Sequence, residues 1–170
     1  MKIDDIKNIA VIGAGNMGHQ IAMLCAIHGY KTVCTDINAE ILAKAENFAD
    51  TYLAGRVEKG RLTQEQATAA REKISFTPGM QDAVKDADYV IEAVLEILDL
   101  KRKIFADLDK MAPAHAILAT NSSAIISSKI ADVTKRPEKV LNVHFFNPAL
   151  VMKLVEVVQG PHVSDETREI

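Results

Sequence analysis

A histidine and a glutamate near the carboxyl end of the chain have the spacing of an acid–base pair. His144 lies in the segment NVHFFNP, and Glu156 follows 12 residues later in MKLVEVV. If the two segments form an antiparallel hairpin centred near Leu150, these residues are equidistant from its centre and face each other. A carboxylate would then fix the histidine tautomer and leave the second ring nitrogen free to exchange a proton with a substrate hydroxyl. The spacing alone is equally compatible with a chance acid across a hairpin.

A glycine-rich turn near the amino end predicts a site for a dinucleotide. The segment NIAVIGAGNMG has the G-x-G-x-x-G spacing after an apolar, β-branched run and before residues with helical spacing. In such a turn the first glycine permits the tight bend, the second lets the backbone approach a pyrophosphate, and the third allows close helix–strand packing. A helix that begins near Asn16 would point free N–H groups at that pyrophosphate. We therefore expect the whole turn to bind the cofactor: Gly13, Ala14, Gly15, Asn16, Met17 and Gly18.

An acidic residue at the end of the second predicted strand indicates which dinucleotide is bound. Asp36 ends the segment KTVCTD, 18 residues after Gly18. An acid in this position accepts hydrogen bonds from the hydroxyls of the adenosine ribose and repels a 2′-phosphate. We therefore predict NAD rather than NADP as the cofactor.

These residues require a sheet whose strands end at one edge, and the sequence predicts one. Apolar runs alternate with segments of helical periodicity, which is typical of a Rossmann-like, doubly wound α/β fold with a mostly parallel sheet and an antiparallel last strand. After the first two strands the predicted strands are 74–77, 87–94, 116–120, 139–145 and 153–158. The predicted helices that follow the first glycine turn are 39–58, 63–73 and 99–111, with a helical stretch around 125–133.

The second crossover contains two helices, more than a minimal β–α–β unit needs. We predict that residues 39–73 form a helical arm that projects from the body, with Ile41, Ala45, Phe48 and Tyr52 on one face of its first helix. The arm carries several basic residues, among them Lys59. They form either a solvated face or a phosphate-binding surface.

Composition limits the class of protein. The 170 residues suit one domain, 1–170, and the net charge of −3 gives no reason to expect nucleic acid or an acidic membrane as partner. Cys25 and Cys34 lack metal-ligand spacing and are predicted to be reduced core residues in a cytoplasmic protein, with no metal site. Ser164 begins a helical pattern close to Ile170, so we expect a further domain to follow in the whole protein.

Several other polar residues have ordinary interpretations. His19, His28, His115 and His162 have no partner that the sequence identifies and are expected at the surface or in packing. Glu92 and Glu96 are compatible with exposed loop acids, and Lys101 with a solvated helix residue. Ser123 is compatible with a cap for the helical stretch that follows it.

The chain resembles the N-terminal domain of the L-3-hydroxyacyl-CoA dehydrogenase family from Ile9 to about Gly160. Five motifs carry the resemblance in family order and at family spacing: VIGAGNMG at 11–18, EAVLE at 92–96 followed by Lys101, TNSS at 120–123, HFFNP at 144–148 and MKLVEVV at 152–158. The last two motifs are far more specific than the glycine turn.

The resemblance implies roles for individual residues. It makes His144 the catalytic acid and base, Glu156 its orienting partner, and Ser123 a residue that hydrogen-bonds the reacting substrate oxygen beside the nicotinamide. Residues at cofactor-contacting positions are Glu96, Lys101, Ser123 and Asn147, and Lys59 matches a lysine near the phosphates of CoA. Two positions depart from the family pattern: Tyr52 replaces a small polar residue that meets CoA, and Gln20 replaces a small residue of the first helix.

The resemblance also implies an activity. The expected reaction is NAD-dependent, reversible oxidation of an L-3-hydroxyacyl-CoA to the 3-ketoacyl-CoA. In the family an all-helical second domain, which these 170 residues do not contain, closes the substrate cleft and forms the dimer. Two alternatives stay open: a dehydrogenase of a free hydroxy acid in the same superfamily, and a non-catalytic NAD-binding module.

Overall fold

Seven strands form a single sheet in the computed structural model of the protein, which describes residues 2–170. The strands are β1 (Asn8–Ile12), β2 (Lys31–Thr35), β3 (Ile74–Thr77), β4 (Tyr89–Glu92), β5 (Ile117–Thr120), β6 (Val140–Phe145) and β7 (Val155–Val158). Their spatial order is β3-β2-β1-β4-β5-β6-β7. Neighbours from β3 to β6 pair in parallel, and β7 pairs antiparallel with β6. The predicted Rossmann-like fold with an antiparallel last strand is confirmed.

Helices cover both faces of the sheet. They are α1 (Gly18–Ile27), α2 (Ala39–Glu58), α3 (Gln64–Lys73), α4 (Met80–Val84), α5 (Leu98–Met111) and α6 (Asp165–Glu169). Alternate side chains of β1 point to opposite faces. Val11 packs with Ile21 of α1 in one apolar cluster, whereas Ala10 packs with Phe105 of α5 in another. Each face of the parallel sheet is therefore buried beneath helices, which explains why its strands are apolar without alternation.

The chain reverses its direction of travel across the sheet after β3. It builds β1, β2 and β3 towards one edge, and then returns to place β4 on the other side of β1. The loops that follow β1 and β4 consequently diverge and leave a crevice at the carboxyl ends of these strands. Such a switch point is where doubly wound sheets bind their ligands.

The helical pair packs on the sheet at its base and extends into solvent at its tip. Leu42, Ala45, Ala49 and Leu53 of α2 are buried, and Ala67 and Ala70 of α3 join the same cluster. The predicted face of α2 is confirmed in part: Ala45 is buried, Ile41 and Tyr52 are half-buried against the same cluster, and the half-buried Phe48 stacks on Tyr52. Most residues around the turn between the two helices are exposed.

Three predicted elements have wrong boundaries, two of them for local reasons. The first helix begins at Gly18 instead of near Asn16, because residues 15–17 form a turn. The strand predicted over 87–94 is shorter, because the side chain of Glu92 accepts a hydrogen bond from the backbone N–H of Val94 at 2.7 Å and turns the chain out of the sheet. The last strand begins at Val155 rather than at residue 153.

Residues 125–133 do not form the expected helix but contain two short 3-10 turns, Ser127–Lys129 and Ala131–Val133. The buried side chain of Asn142 replaces helical hydrogen bonds here. It donates to the carbonyl of Ile125 at 2.9 Å and accepts from the N–H of Ser127 at 2.7 Å. A β6 side chain thus satisfies the backbone of this segment, which the local sequence could not indicate.

The two cysteines lie in the core, as predicted. Cys25 and Cys34 are both free and buried, and burial raises the pKa of each thiol to about 12. They are therefore protonated and unreactive at neutral pH. Within residues 2–170, no helix combines the length and the apolar character that a bilayer crossing requires.

Candidate active site

The glycine turn leaves open space above its backbone. Gly13 has a φ of +97°, and a Cβ added at Gly18 would lie 1.7 Å from the carbonyl oxygen of Gly13. A Cβ added at Gly15 would meet no atom within 4 Å. The N–H groups of Gly15, Asn16 and Met17 donate no hydrogen bond within residues 2–170. Free N–H groups beside an open backbone surface fit a pyrophosphate.

Asp36 lies beside this turn. Its Oδ2 accepts from the N–H of Ala14 at 2.9 Å, and its Oδ1 accepts from the N–H of Asn38 at 2.9 Å. Each oxygen keeps a lone pair for a further donor, such as a ribose hydroxyl. The structure thus brings the predicted acid to the predicted turn at the ends of β1 and β2.

The histidine and the glutamate of the hairpin face each other. The register of β6 and β7 pairs His144 with Glu156, and Nδ1 of the histidine lies 3.0 Å from Oε2 of the glutamate. The side chain of His144 is 22% exposed and that of Glu156 is 55% exposed. Nε2 of His144 has no hydrogen-bond partner within the described residues. The pair can therefore hold one ring nitrogen and present the other to a ligand.

Two asparagines connect the hairpin to the rest of the crevice. The side-chain amide of Asn16 in the glycine turn approaches Oδ1 of Asn147 at 3.4 Å. Asn147 precedes Pro148 through a cis peptide bond. Asn121, at the end of β5, accepts from the N–H of Phe145 at 2.8 Å. These contacts place the ends of β1, β5 and β6 around one crevice.

Ser122, and not Ser123, caps the turn after β5. Its hydroxyl oxygen accepts from the N–H groups of Ala124 and Ile125 at 3.3 and 2.7 Å, and its hydroxyl donates to Oε1 of Glu96. Ser123 is exposed and makes no side-chain hydrogen bond within residues 2–170. The cap expected at Ser123 thus belongs to its neighbour, and the Ser123 hydroxyl is available to a ligand.

Glu92, Lys101 and Glu96 form a charged cluster at the ends of β4 and β5. The side chains of Glu92 and Lys101 are 0% and 1% exposed, so the interpretations of Glu92 as an exposed loop acid and of Lys101 as a solvated helix residue are wrong. Nζ of Lys101 lies 2.7 and 3.0 Å from the two oxygens of Glu92 and 3.3 Å from Oε2 of Glu96. The hydroxyl of Thr120 donates to Oε2 of Glu92 at 2.7 Å. The cluster links two strands, α5 and the turn that carries Ser123.

Lys59 lies apart from this crevice. It follows the last residue of α2, at the exposed tip of the helical arm. The half-buried face of the arm carries the stack of Phe48 on Tyr52, with ring centroids 5.4 Å apart, and the guanidinium of Arg56 lies 5.9 Å from the Tyr52 ring. Gln20 is buried in α1 and donates to the carbonyl of Asn16 at 2.8 Å. This hydrogen bond gives the buried side-chain amide of Gln20, the larger residue at this position, a polar partner.

The four remaining histidines all have polar partners, which the sequence did not reveal. His19 and His28 contact the carbonyls of Gly15 and Leu24, each four residues earlier in the chain. The other two make long-range contacts: His115 with Asp88 at 2.9 Å, and His162 with the carbonyl of Val140 at 2.9 Å. Within the described chain, no three His, Cys, Asp or Glu side chains form a group that could hold a metal ion.

The sequence missed the residues that support the site from inside the sheet. Glu92 and Asn142 occupy buried strand positions. A polar residue within an otherwise apolar strand was the available signal, since a buried polar group requires a partner. The partners themselves are distant in the chain and become visible only in the fold.

Comparisons with known proteins agree with one another on the family that this chain resembles. The family model described as "3-hydroxyacyl-CoA dehydrogenase, NAD binding domain" matches residues 8–170. A probable 3-hydroxybutyryl-CoA dehydrogenase of Bacillus subtilis is 40% identical over 96% of this chain and 56% of its own length. For the 3-hydroxyadipyl-CoA dehydrogenase of Escherichia coli the identity is 41%, over 97% of this chain and 34% of its own length.

A solved structure agrees with these sequence matches. The crystal structure of a 3-hydroxybutyryl-CoA dehydrogenase from Escherichia coli superposes with a TM-score of 0.93 at 41% identity, over 96% of this chain and 34% of that one. The present chain thus spans between about a third and a little over half of the length of these relatives.

Proposed function

The chain belongs to the 3-hydroxyacyl-CoA dehydrogenase family and uses NAD, and on that premise we propose that it is the NAD-binding part of an L-3-hydroxyacyl-CoA dehydrogenase. Residues 1–170 would form one domain, with 39–73 as its helical arm. The observation that carries the proposal is the contact of 3.0 Å between His144 and Glu156 beside the glycine-turn crevice. It supports proton exchange at a substrate hydroxyl.

Each residue of the pair has a separate part in this proposal. Nδ1–H of His144 donates to the Glu156 carboxylate, which orients the ring and stabilises its protonated form. Nε2 removes the proton from the 3-hydroxyl group, and Ser123 donates to the same substrate oxygen. When bound, NAD supplies the acceptor for the hydride that leaves C3.

The cofactor would lie across the carboxyl ends of the sheet. The glycine turn, Gly13–Gly18, would bind its pyrophosphate and Asp36 the adenosine ribose, while Asn147, Glu96, Lys101 and Ser123 would contact the opposite half. Lys59 would meet the phosphates of the CoA thioester from the tip of the arm. An all-helical domain would complete the cleft and supply the dimer contact. A cytoplasmic location stays a prediction.

Substitution of the histidine tests the proposal. His144→Gln should lower acetoacetyl-CoA-dependent NADH oxidation by about 10²- to 10⁴-fold, because the proton-transfer group is lost. Glu156→Gln should lower the rate by a smaller factor, since the imidazole remains. The assay is best run with the helical domain supplied, and NADH affinity should stay nearly unchanged in both variants.

A matched control and a second substrate separate the alternatives. His28→Gln changes the same residue type on the exposed end of α1 and should leave the rate unchanged. Near-normal turnover by His144→Gln would remove that residue from the mechanism. Preference for free 3-hydroxybutyrate over 3-hydroxybutyryl-CoA would identify a hydroxy-acid dehydrogenase instead. NADH binding without turnover of either compound would indicate a non-catalytic module.

A further inference from the structure

The cluster of Glu92, Lys101 and Glu96 contains unequal numbers of positive and negative groups. Glu92 accepts hydrogen bonds from three donor groups, the ammonium of Lys101, the hydroxyl of Thr120 and the N–H of Val94. Such a set of donors, with no acceptor opposite either oxygen, fits an ionised carboxylate. One ammonium therefore serves two carboxylates.

Glu96 is ionised as well. Partial burial alone would raise the pKa of Glu96, but the hydrogen bond from Ser122 and the charge of Lys101 outweigh it and hold the pKa below its ordinary value. At neutral pH the cluster then carries two negative charges and one positive charge. Its net charge is a single negative one.

This excess charge is directed towards the crevice. Glu92 and Lys101 are buried, whereas the Glu96 side chain is 41% exposed. Charges inside a protein are screened by salt far less than charges in water. The unbalanced charge of the cluster therefore acts on whatever lies at the carboxyl ends of β4 and β5.

The topology indicates which half of the cofactor lies there. The glycine turn follows β1, and Asp36 follows β2, so the adenosine half belongs to the β1–β2 side. In a doubly wound fold the two nucleotides occupy the two sides of the switch point, which here lies between β1 and β4. The nicotinamide half then belongs to the β4–β5 side, beside the cluster.

The two redox states of nicotinamide differ in charge at this place. The ring is a cation in NAD⁺ and neutral in NADH. We propose that the Glu92–Lys101–Glu96 cluster tunes the relative affinity of the site for oxidised and reduced cofactor, because its excess negative charge stabilises the cationic ring. The inference rests on the proposed function, because it requires NAD to bind in the crevice.

The ratio of two dissociation constants tests this inference directly. Glu96→Gln keeps the shape of the side chain and removes one negative charge. The ratio of the Kd for NAD⁺ to the Kd for NADH should rise by about threefold to tenfold, as expected for the loss of one charge near the ring. Each Kd can be measured by titration of the 170-residue chain. A general folding defect lowers both affinities together and leaves the ratio unchanged.

Two further variants separate charge from geometry. Glu138→Gln removes the same charge at the amino end of β6, where it is exposed, and should leave the ratio unchanged. Thr120→Val removes a buried hydrogen bond to Glu92 but keeps the net charge of the cluster. It should change the ratio by less than about twofold. If Thr120→Val fails to fold, the comparison of Glu96→Gln with Glu138→Gln decides alone.

The possible failures are distinguishable. If the unsubstituted chain binds both cofactor states and Glu96→Gln leaves the ratio unchanged, the inference is wrong and the proposed function stands. An equal shift in Thr120→Val would also overturn it, since contacts rather than charge would be responsible. If the unsubstituted chain binds neither NAD⁺ nor NADH, the proposed function itself fails.

Discussion

At the scale of single residues, Asp36 is expected to determine which dinucleotide binds. Both carboxylate oxygens accept backbone N–H groups at 2.9 Å, so the side chain is held beside the glycine turn. Asp36→Ala should weaken NAD binding by about tenfold, the loss of roughly one charged hydrogen bond. NADP binding should weaken less or improve, because the repulsion of its 2′-phosphate disappears. Titration with NADH and NADPH measures both effects.

A control for this substitution is available at the opposite ends of the strands. Asp86 is exposed, precedes β4, and Asp86→Ala should leave both affinities unchanged. Equal or tighter binding of NADPH by the unsubstituted chain would contradict the assignment of NAD to this site.

Single residues also show what the sequence could and could not predict about the site. The pairing of His144 with Glu156 could be predicted from spacing, because residues equidistant from the centre of an antiparallel hairpin face each other. The burial of Glu92 could not be predicted, because it depends on Lys101 and Thr120, which come from other elements. Contacts set by local register are visible in a sequence, whereas contacts set by tertiary packing are not.

At the scale of elements, Asp88 joins the starts of two neighbouring strands. It precedes β4, and its Oδ2 accepts from the N–H groups of Lys7 and Asn8 at 2.9 Å, where β1 begins. Partial burial raises the pKa of Asp88, but these backbone donors and His115 outweigh it and lower the pKa below its ordinary value. A carboxyl group with a lowered pKa in the folded state stabilises the fold above its unfolded pKa and loses that contribution as the pH falls through the folded pKa.

Asp88→Asn should therefore destabilise the protein in a pH-dependent way. At pH 7 we expect the free energy of unfolding to fall by about 1–2 kcal/mol, the value of hydrogen bonds to a charged acceptor. The difference from the unsubstituted chain should shrink as the pH drops below the ordinary aspartate pKa, near 4. Urea unfolding at several pH values measures it. Asp86→Asn, exposed two residues earlier, is the matched control, and a difference that does not shrink between pH 7 and pH 3 would contradict the charge argument.

The elements themselves were largely predictable, with failures at their ends. The parallel strands read as apolar runs, and the capping box of Thr63 with Gln66 marked the start of α3. The prediction of a helix around 125–133 is wrong because backbone groups of this segment form hydrogen bonds with Asn142 of a distant strand. The predicted face of α2 contacts the core through Ala45, Ile41 and Tyr52, whereas Phe48 stacks on Tyr52 along the half-buried side of the helix.

At the scale of the whole molecule, the proposed active site is open. β7 is an edge strand whose four residues are all exposed, including Val155, Val157 and Val158 at 39%, 52% and 45%. The carboxylate of Glu156, which contacts Nδ1 of His144, lies on this strand. A hydrogen-bonded pair in contact with water is weaker and less well oriented than the same pair in an enclosed cleft.

We therefore expect the 170-residue chain to bind NADH and yet to turn over acetoacetyl-CoA slowly. The glycine turn and Asp36 are complete within this fold, so cofactor affinity should need nothing further. Turnover also requires an enclosed and oriented substrate, and orientation contributes up to about 7–11 kcal/mol to catalysis. Supplying the helical domain in trans should raise kcat at least tenfold and reduce the exposed apolar surface of β7, seen as weaker binding of a hydrophobic dye. Rapid turnover by the chain alone, unchanged by the added domain, would mean that these residues build a sufficient site unaided.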